Sequence, residues 1–399
     1  MATDAVRTTP FHSRTAALVR GKTWRRWEGY VVPASYDLIH DLEYAAIRGT
    51  AALIDVTPLF KYRIRGPGAE ALLDRVVTRD VRRCKVGQVL YTPWCDPRGK
   101  VLDDGTVTRL EADRFRLTSA HPNLRWLFQN AVGMDVEIED ETAETAALSL
   151  QGPAARTILE QVADTDLAKL RFFRAKGARL GGIPVTITRT GYTGDLGYEI
   201  WVANDRAEAL WDLLVATGGP YGIAPTGLLA MDVARIEAGL LLIDVDYVSA
   251  RRALIEPQKS SPFELNLGWA VVREKAPYVG QRALEAERER GSSWAFRGLV
   301  VDWDSLEELF SEVGLPPQLP TTAWRTSTPV YVDGKQVGYA TSGCWSPLLK
   351  KYLALAHVES PHAEPGTEVA LEITVEHRRK KARAIVVKTP FFDPERKRA

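Results

Sequence analysis

Two adjacent acidic residues, Asp103 and Asp104, follow a glycine turn in a segment with the residue pattern of a β-strand. Adjacent side chains of a strand point to opposite faces, so only one of these carboxylates can face a pocket. An inward carboxylate beside Tyr91 and Trp94 of the preceding strand would be partly removed from water, and it could then accept a proton or a hydrogen bond. The alternative interpretation is an acidic turn at the protein surface.

The glycine-rich segment from Gly191 to Glu199 is a second candidate for chemistry. It lacks the GxGxxG order and the βαβ context of a dinucleotide site, and no GxxxxGK[ST] phosphate loop occurs in the chain. Taken alone, the segment predicts a tight hairpin in which Glu199 is a solvated strand residue. The scattered histidines and cysteines show no metal-ligand spacing, so we predict a reaction that uses no metal ion.

Composition excludes several classes of protein. The chain of 399 residues has 52 basic and 51 acidic residues, and this balance argues against a nucleic-acid-binding protein. The basic run from His377 to Arg383 lies between two strand-like segments, so a solvent-facing hairpin is the preferred interpretation over nucleic-acid binding. No apolar stretch is long enough to span a membrane, and the N-terminal segment lacks the apolar region of a secretory signal. The three cysteines form no CxxC pair, which favours a cytoplasmic location.

Helical and strand patterns alternate along the chain without a regular βαβ order. Residues 89–118 predict a β-meander, and a charged helix over residues 281–290 ends at Gly291. After it come a proline-rich stretch and strand-like segments with tight turns. We therefore predict two regions, a mixed region over residues 1–290 and a β-rich C-terminal domain over residues 291–399.

A collinear series of segments makes the chain resemble the aminomethyltransferase family, the tetrahydrofolate-binding glycine-cleavage T-protein and its relatives. The matching segments are RGTAALIDVTPLFKYRIRGPGAE, LYTPWCDPRGKVLDDGTV, LSLQGPAA, RTGYTGDLGYEIWV, MDVARIEAGL, SPFELNLGWAV with YVGQRAL, TSGCWSPLLKKYLALAHV and ARAIVVKTPFFD. The resemblance implies an α+β fold, a three-lobed ring in which two α+β lobes, the first one discontinuous, and a C-terminal β-barrel surround a central folate channel.

The resemblance also implies roles for individual residues. Asp104 falls on the catalytic carboxylate position beside N5 of tetrahydrofolate, and Tyr91 and Tyr192 fall on positions that line the folate. Glu199 matches the acid that binds the pterin ring, which is reasonable because a carboxylate accepts two parallel N–H bonds from a 2-aminopyrimidinone edge. Either Phe172 or Phe173 falls where the family stacks an aromatic ring on the cofactor.

Departures from the T-protein pattern suggest a different one-carbon donor. T-proteins carry an arginine in a GARD-like segment where this chain has Leu229–Asp232, and Pro93–Asp96 replaces their usual residues before the catalytic acid. These changes resemble the tetrahydrofolate-dependent demethylases. The predicted function is therefore transfer of a methyl group from a small O-, N- or S-methylated donor to N5 of tetrahydrofolate. The preferred donor is a methoxylated aromatic compound. The alternatives are a glycine-cleavage-type aminomethyltransferase and a non-catalytic folate-binding protein.

Several polar and aromatic residues are candidates for the donor side of the site. His121, Tyr247 and Tyr30 could protonate a leaving group, because each carries a transferable proton. Trp94, Trp345 and Tyr30 are the predicted donor-binding residues, since aromatic rings bind ethers and methylated cations; the alternative is that the tryptophans fill cores at lobe junctions. The predicted ligands are a small methyl donor and folate, and we expect no nucleic-acid, membrane or lipoyl-protein partner.

Overall fold

The computed structural model describes residues 6–399, and residues 1–5, which open the first predicted region, lie outside the described residues. The described chain is an α+β fold with two lobes on open sheets, a small N-terminal sheet and a closed C-terminal barrel. The predicted fold class is therefore confirmed. No helix within residues 6–399 is both long and apolar enough to cross a membrane.

The strands are β1 (Arg7–Thr8), β2 (Trp24–Trp27), β3 (Tyr30–Pro33), β4 (Ala51–Asp55), β5 (Phe60–Arg65), β6 (Gln88–Cys95), β7 (Val101–Arg109), β8 (Arg114–Ser119), β9 (Glu137–Asp140), β10 (Thr145–Gln151), β11 (Ala175–Leu180), β12 (Ile183–Thr188), β13 (Gly197–Ala203), β14 (Ile223–Pro225), β15 (Trp294–Val301), β16 (Thr328–Val332), β17 (Lys335–Ser346), β18 (Lys351–Glu359), β19 (Glu368–Val375) and β20 (Arg378–Val387). The α-helices are α1 (His12–Leu18), α2 (Asp41–Gly49), α3 (Ala69–Val76), α4 (Leu124–Asn130), α5 (Ala155–Glu160), α6 (Ala207–Gly218), α7 (Leu228–Glu237), α8 (Gln281–Arg290) and α9 (Trp303–Ser311).

One lobe is nested inside another. The outer lobe, residues 51–55 and 145–225, has the strand order β11-β12-β13-β10-β4-β14. Between β4 and β10 the chain builds the inserted lobe, residues 60–140, with the order β6-β7-β8-β5-β9. The chain then returns, and β10 pairs with β4 so that Leu148 lies opposite Asp55. The outer lobe is therefore the discontinuous one.

The first and last strands of the inserted lobe are hydrogen-bonded neighbours, because β5 pairs with β9 and places Tyr62 opposite Asp140. Helix α3 packs on the sheet because its apolar residues recur at helical spacing, and Leu72 and Leu73 are buried there. The buried ammonium of Lys275 donates to the carbonyls of residues 74, 77 and 79 at 2.6–2.8 Å. This side chain therefore binds the end of α3 and the turn that follows it.

The C-terminal domain is a closed barrel with the strand order β15-β18-β17-β16-β19-β20. The basic run lies mainly on β20, where Lys380 pairs with Glu312 at 2.7 Å and Arg383 pairs with Glu308 at 2.9 Å. Acidic residues in and after α9 thus offset part of its charge, which is consistent with a solvent-facing hairpin. Helix α8 ends at Arg290 and β15 begins at Trp294, while the division into residues 1–290 and 291–399 remains a prediction.

The lobes and the barrel meet in a shared apolar core. It includes Ile54 of the outer lobe, Cys95 of the inserted lobe, Met231 of α7, and Cys344 and Leu353 of the barrel. Helix α7 runs through this junction and is buried along almost its whole length. The junction therefore fixes the relative positions of strands that come from distant parts of the chain.

Candidate active site

The hairpin of β6 and β7 separates the two predicted carboxylates. In its register Pro93 lies opposite Asp104, and Trp94 lies opposite Asp103. Directly opposite residues of an antiparallel pair share a face, and neighbours along a strand do not. Asp104 therefore shares a face with Tyr91, whereas Asp103 and Trp94 point into the core of the inserted lobe.

Two phenol hydroxyls bind the carboxylate of Asp104. Tyr91 donates to Oδ2 at 2.8 Å, and Tyr247 donates to Oδ1. Burial raises the pKa of Asp104, and the hydrogen bonds from Tyr247 and Tyr91 and the nearby His121 oppose that rise. A partly desolvated carboxylate with a raised pKa is a stronger base than a solvated one and is suited to accept a proton.

The second carboxylate, Asp103, is fully buried and accepts hydrogen bonds from neighbouring backbone and side-chain N–H groups. Its oxygens accept hydrogen bonds from the backbone N–H of Asp104 at 2.8 Å, that of His121 at 3.0 Å and the Asn123 side chain at 2.8 Å. Burial, together with the charge of Asp104, raises the pKa of Asp103 to about 7. Asp103 therefore fastens the turn after β8 to the strand that carries Asp104.

His121 lies next to this hairpin, but its ring binds a different partner. Its Nε2 atom is 2.9 Å from Asp244 Oδ2 and 3.1 Å from Arg252 Nη1. Asp244 itself has a positive φ of 62° and donates its backbone N–H to the carbonyl of Tyr247 at 2.8 Å. The ring of His121 is thereby connected to the segment that carries Tyr247, and the role of His121 as an acid remains a prediction.

The glycine-rich segment leads from β12 into β13 and presents Tyr192 and Glu199. The Tyr192 hydroxyl donates to the carbonyl of Leu241, and burial raises the pKa of this phenol. Glu199 Oε2 accepts from Thr190 at 2.6 Å and from Thr188 at 3.4 Å, and burial raises the pKa of the carboxyl. Its Oε1 atom has no hydrogen-bond partner within residues 6–399, so this oxygen is free to bind a ligand.

Phe172 and Phe173 bridge the two lobes. Their rings meet edge to face at a centroid distance of 4.6 Å, and the carbonyl of Phe173 accepts the backbone N–H of Val89 at 3.0 Å. Phe173 has a φ of 57°, in the left-handed region, and this conformation turns the chain between the two rings. Both rings remain partly exposed, so they are accessible to a ligand near β6.

The position of Trp94 contradicts its predicted role. The side chain is 0% exposed, belongs to the core of the inserted lobe and donates from Nε1 to Asn123 Oδ1 at 3.2 Å. The reason is the two-residue period of β6, which sends Tyr91 and Trp94 to opposite faces. Trp94 is therefore a core residue, and the prediction that it binds the donor is wrong in this geometry.

Neither Trp345 nor Tyr30 makes a hydrogen bond with Asp104 within residues 6–399. Trp345 packs against Trp303 at 5.3 Å in a cleft of about 430 Å³, whose lining includes neither Asp104 nor Tyr91 or Tyr247. Tyr30 lies on β3, is partly buried, and its hydroxyl makes no hydrogen bond in the described part of the chain. Donor binding by these two residues remains a prediction without a contact that supports it.

Sequence reasoning missed Trp269, which lies beside the predicted site. Its ring stacks on Tyr91 at a centroid distance of 6.1 Å and an interplanar angle of 24°. The signal was present in the sequence, because Trp269 belongs to the segment SPFELNLGWAV that carries part of the resemblance. Taken only as part of a motif match, this tryptophan was assigned no function.

Two family models match the chain in succession. The model described as the GCVT N-terminal domain matches residues 10–275, and the model of the glycine cleavage T-protein C-terminal barrel domain matches residues 313–393. The chain belongs to the aminomethyltransferase family. The family uses tetrahydrofolate as the acceptor in one-carbon transfer, so the predicted cofactor is confirmed, and the coarse prediction of a tetrahydrofolate-dependent one-carbon transferase is supported.

Similar proteins cover nearly the whole chain. The aminomethyltransferase of Halothermothrix orenii is 33% identical over 372 residues, which covers 92% of this chain and 95% of that protein. The aminomethyltransferase of Desulforamulus reducens is 32% identical over 382 residues, with coverages of 95% and 96%. The crystal structure of glycine cleavage system aminomethyltransferase T from Bartonella henselae matches with a TM-score of 0.82 at 26% identity and covers 98% of this chain and 99% of that one. These names fit our first alternative better than the predicted demethylase.

Proposed function

We propose that this aminomethyltransferase-family protein transfers an aminomethyl group from a thioether donor to N5 of tetrahydrofolate. The single observation that carries the proposal is the carboxylate of Asp104, half-buried and bound at both oxygens by Tyr91 and Tyr247. The relatives named aminomethyltransferase support the choice of an aminomethyl group. A lipoyl group on a carrier protein is the corresponding donor, which departs from our expectation of no lipoyl-protein partner.

The chemistry of the predicted folate-binding residues fits a folate. Glu199 offers the unpartnered oxygen Oε1 at a half-buried position, where a carboxylate matches the paired N–H donors of a pterin edge. Phe172 and Phe173 offer partly exposed ring surfaces for contact with a planar ligand. Tyr192 is held in place through its hydroxyl, so its ring can serve as a fixed wall of the same pocket.

Tetrahydrofolate supplies two nucleophilic nitrogens, N5 and N10, when it is bound. In the overall reaction the carbon–sulfur and carbon–nitrogen bonds of the donor break and the carbon is joined to N5 and N10. The two protons that N5 and N10 lose are taken up by the leaving groups, so that the sulfur leaves as a thiol and the nitrogen leaves as ammonia. Asp104 orients N5 and accepts its proton, because burial raises the pKa of this carboxyl and so makes the carboxylate a stronger base. Tyr91 and Tyr247 keep the carboxylate in position throughout, so that the acceptor and the donor carbon remain aligned.

Methyl transfer from a small methylated donor is the second candidate. One observation favours it: at the position where T-proteins carry an arginine, this chain has Met231, an uncharged thioether side chain that is only 8% exposed. The other departure from the T-protein pattern, at Pro93–Asp96, gives little support to a different donor, because Trp94 of that segment lies in the core of the inserted lobe. The donor-side argument for demethylation therefore depends on Met231.

The test compares products. The purified protein is incubated with tetrahydrofolate and either an aminomethylated lipoyl carrier or a panel of methoxybenzoates, methylamines and sulfonium compounds. Formation of 5,10-methylenetetrahydrofolate and ammonia with the lipoyl carrier is the expected result. Formation of 5-methyltetrahydrofolate with a small donor, and no turnover of the carrier, would establish the second candidate instead. The matched negative control is Asp104→Asn.

A further inference from the structure

Hydrogen bonds between two segments fix an arginine beside a tryptophan near Asp104. The Thr78 hydroxyl donates to the carbonyl of Ala270 at 2.8 Å, and the backbone N–H of Val272 donates to the carbonyl of Thr78 at 3.2 Å. Thr78 is fully buried, so this connection is shielded from water. The adjacent residues, Arg79 and Trp269, are consequently brought together, with Cζ of Arg79 5.4 Å from the centroid of the indole ring.

Trp269 is exposed although it packs against Tyr91, which binds the half-buried carboxylate of Asp104. Its side chain is 61% exposed, while its ring stacks on Tyr91, whose hydroxyl donates to Asp104. Burial of an aromatic side chain contributes much of the free energy of binding at ligand sites. Because the indole of Trp269 is still exposed, a ligand that covers it would gain this free energy. The indole therefore offers an exposed stacking surface, and Tyr91 lies between it and the proposed proton acceptor Asp104.

Arg79 is a partly buried cation without an acidic partner. Within residues 6–399 its guanidinium forms no salt bridge and no hydrogen bond, whereas Arg82, three residues later, pairs with Asp80 at 3.0 Å. Burial lowers the pKa of Arg79, which reflects the cost of holding this charge away from water. A planar guanidinium in such a setting is well suited to bind a carboxylate through two N–H bonds.

We propose that Arg79 and Trp269 form a subsite that binds an aromatic ring carrying a carboxylate, the ring against the indole and the carboxylate against the guanidinium. The inference rests on the proposed function, because it places the subsite next to the Tyr91–Asp104 pair. Two ligands share this chemistry, the first belonging to the proposed function and the second to the methyl-transfer candidate. One is the benzoylglutamate tail of tetrahydrofolate, and the other is a carboxylated aromatic donor such as a methoxybenzoate.

The experiment measures equilibrium binding by calorimetry for Arg79→Gln and Trp269→Ala. The ligands are tetrahydrofolate, 6-methyltetrahydropterin, which lacks the benzoylglutamate tail, and 4-methoxybenzoate. Arg83→Gln and Trp303→Ala are matched controls, since Arg83 is an exposed arginine of the same segment and Trp303 is an exposed tryptophan on α9. Arg79→Lys, which keeps the charge, replaces the glutamine variant if thermal unfolding shows that the latter is not folded.

We expect both variants to weaken binding of a carboxylated aromatic ligand about tenfold or more and to leave 6-methyltetrahydropterin unchanged. A loss for tetrahydrofolate alone assigns the subsite to the folate tail, and a loss for 4-methoxybenzoate alone assigns it to the donor. Wild-type affinity for both ligands, or an equal loss for 6-methyltetrahydropterin, would overturn the subsite.

The two proposals fail in different ways. If the wild-type protein binds no tetrahydrofolate, the proposed function is rejected, and the 4-methoxybenzoate measurement alone then decides the subsite. Absence of binding for that ligand as well would overturn the subsite. If the wild-type protein binds tetrahydrofolate and both variants keep the wild-type affinity for tetrahydrofolate and for 4-methoxybenzoate, the subsite is rejected and the proposed function stands.

Discussion

Tyr247 donates its hydroxyl to the carboxylate of Asp104 from 143 residues further along the chain. Asp104 belongs to the inserted lobe, whereas Tyr247 follows helix α7 at the junction of the lobes. The backbone bond between Asp244 and Tyr247 and the contact between Asp244 and His121 hold the tyrosine in place. The carboxylate is therefore positioned by the assembled lobes and not by its own hairpin alone.

Asp104→Asn should reduce turnover by about 100-fold or more, because an amide keeps the shape of the side chain but cannot accept a proton from N5. Turnover is measured with saturating tetrahydrofolate, and thermal unfolding verifies that the variant is folded. Asp113→Asn, at an exposed acid of the same lobe, is the control. Turnover close to that of the wild type would remove Asp104 from the chemistry.

Tyr247→Phe should move the acidic limb of the pH–rate profile to higher pH by about one unit. The phenol hydrogen bond lowers the pKa of Asp104, and its loss lets burial raise that pKa further. One unit corresponds to about 1.4 kcal/mol, a typical contribution of a hydrogen bond to a charged group. Tyr352→Phe, which removes a buried hydroxyl of the barrel, should leave the profile in place. An unshifted limb in Tyr247→Phe contradicts the prediction.

Trp94→Ala should destabilise the protein by about 3–5 kcal/mol, since it leaves a cavity in the core of the inserted lobe. Urea unfolding measures this loss. The KM for the one-carbon donor, measured on folded protein at low temperature, should be unchanged because the side chain has no exposed surface. A raised KM at wild-type stability would instead support the donor-binding role that the structure contradicts.

The buried acid Asp103 should make stability depend on pH. Its pKa is raised to about 7 in the folded protein, from about 4 when unfolded, so the folded state binds the proton more tightly. Its contribution is therefore complete below pH 4 and is lost as the pH rises to 7, on the order of 4 kcal/mol. The free energy of unfolding of the wild type minus that of Asp103→Asn should fall across this range. Parallel curves would exclude the raised pKa.

The sequence predicted the part of the site that depends on local pattern. Period-two alternation indicates that Asp103 and Asp104 face opposite sides of the strand, and the resemblance selects Asp104 as the residue that faces the folate site. The same alternation places Tyr91 and Trp94 on opposite faces of β6. The role predicted for Trp94 is wrong because it treated both side chains as facing the same pocket. The contact between Tyr247 and Asp104 has no local signal, because it depends on how the lobes pack. The resemblance suggested Asp104, and the need for a proton donor suggested Tyr247, but neither argument could show that the two residues meet.

Helix α2 illustrates a further limit of pattern reasoning. Apolar spacing suggests a helix already from residue 36, but the helix begins at Asp41. The reason is the buried carboxylate of Glu43, which accepts the backbone N–H of Tyr36 at 2.7 Å and of Asp37 at 3.0 Å and holds that stretch outside the helix. The start of α2 is thus set by the hydrogen bonds of one side chain, and the spacing of apolar residues gives no information about such bonds.

The nesting of the inserted lobe in the outer lobe has a consequence for the order of folding. Strand β4 must pair with β10, although the entire inserted lobe lies between them in the chain. Closing so long a loop directly is slow, because its conformational entropy is lost before the contacts form. Since β5 and β9 are neighbours, folding of the inserted lobe first brings the end of β4 close to the start of β10. We therefore expect the inserted lobe to act as the template on which the outer sheet closes.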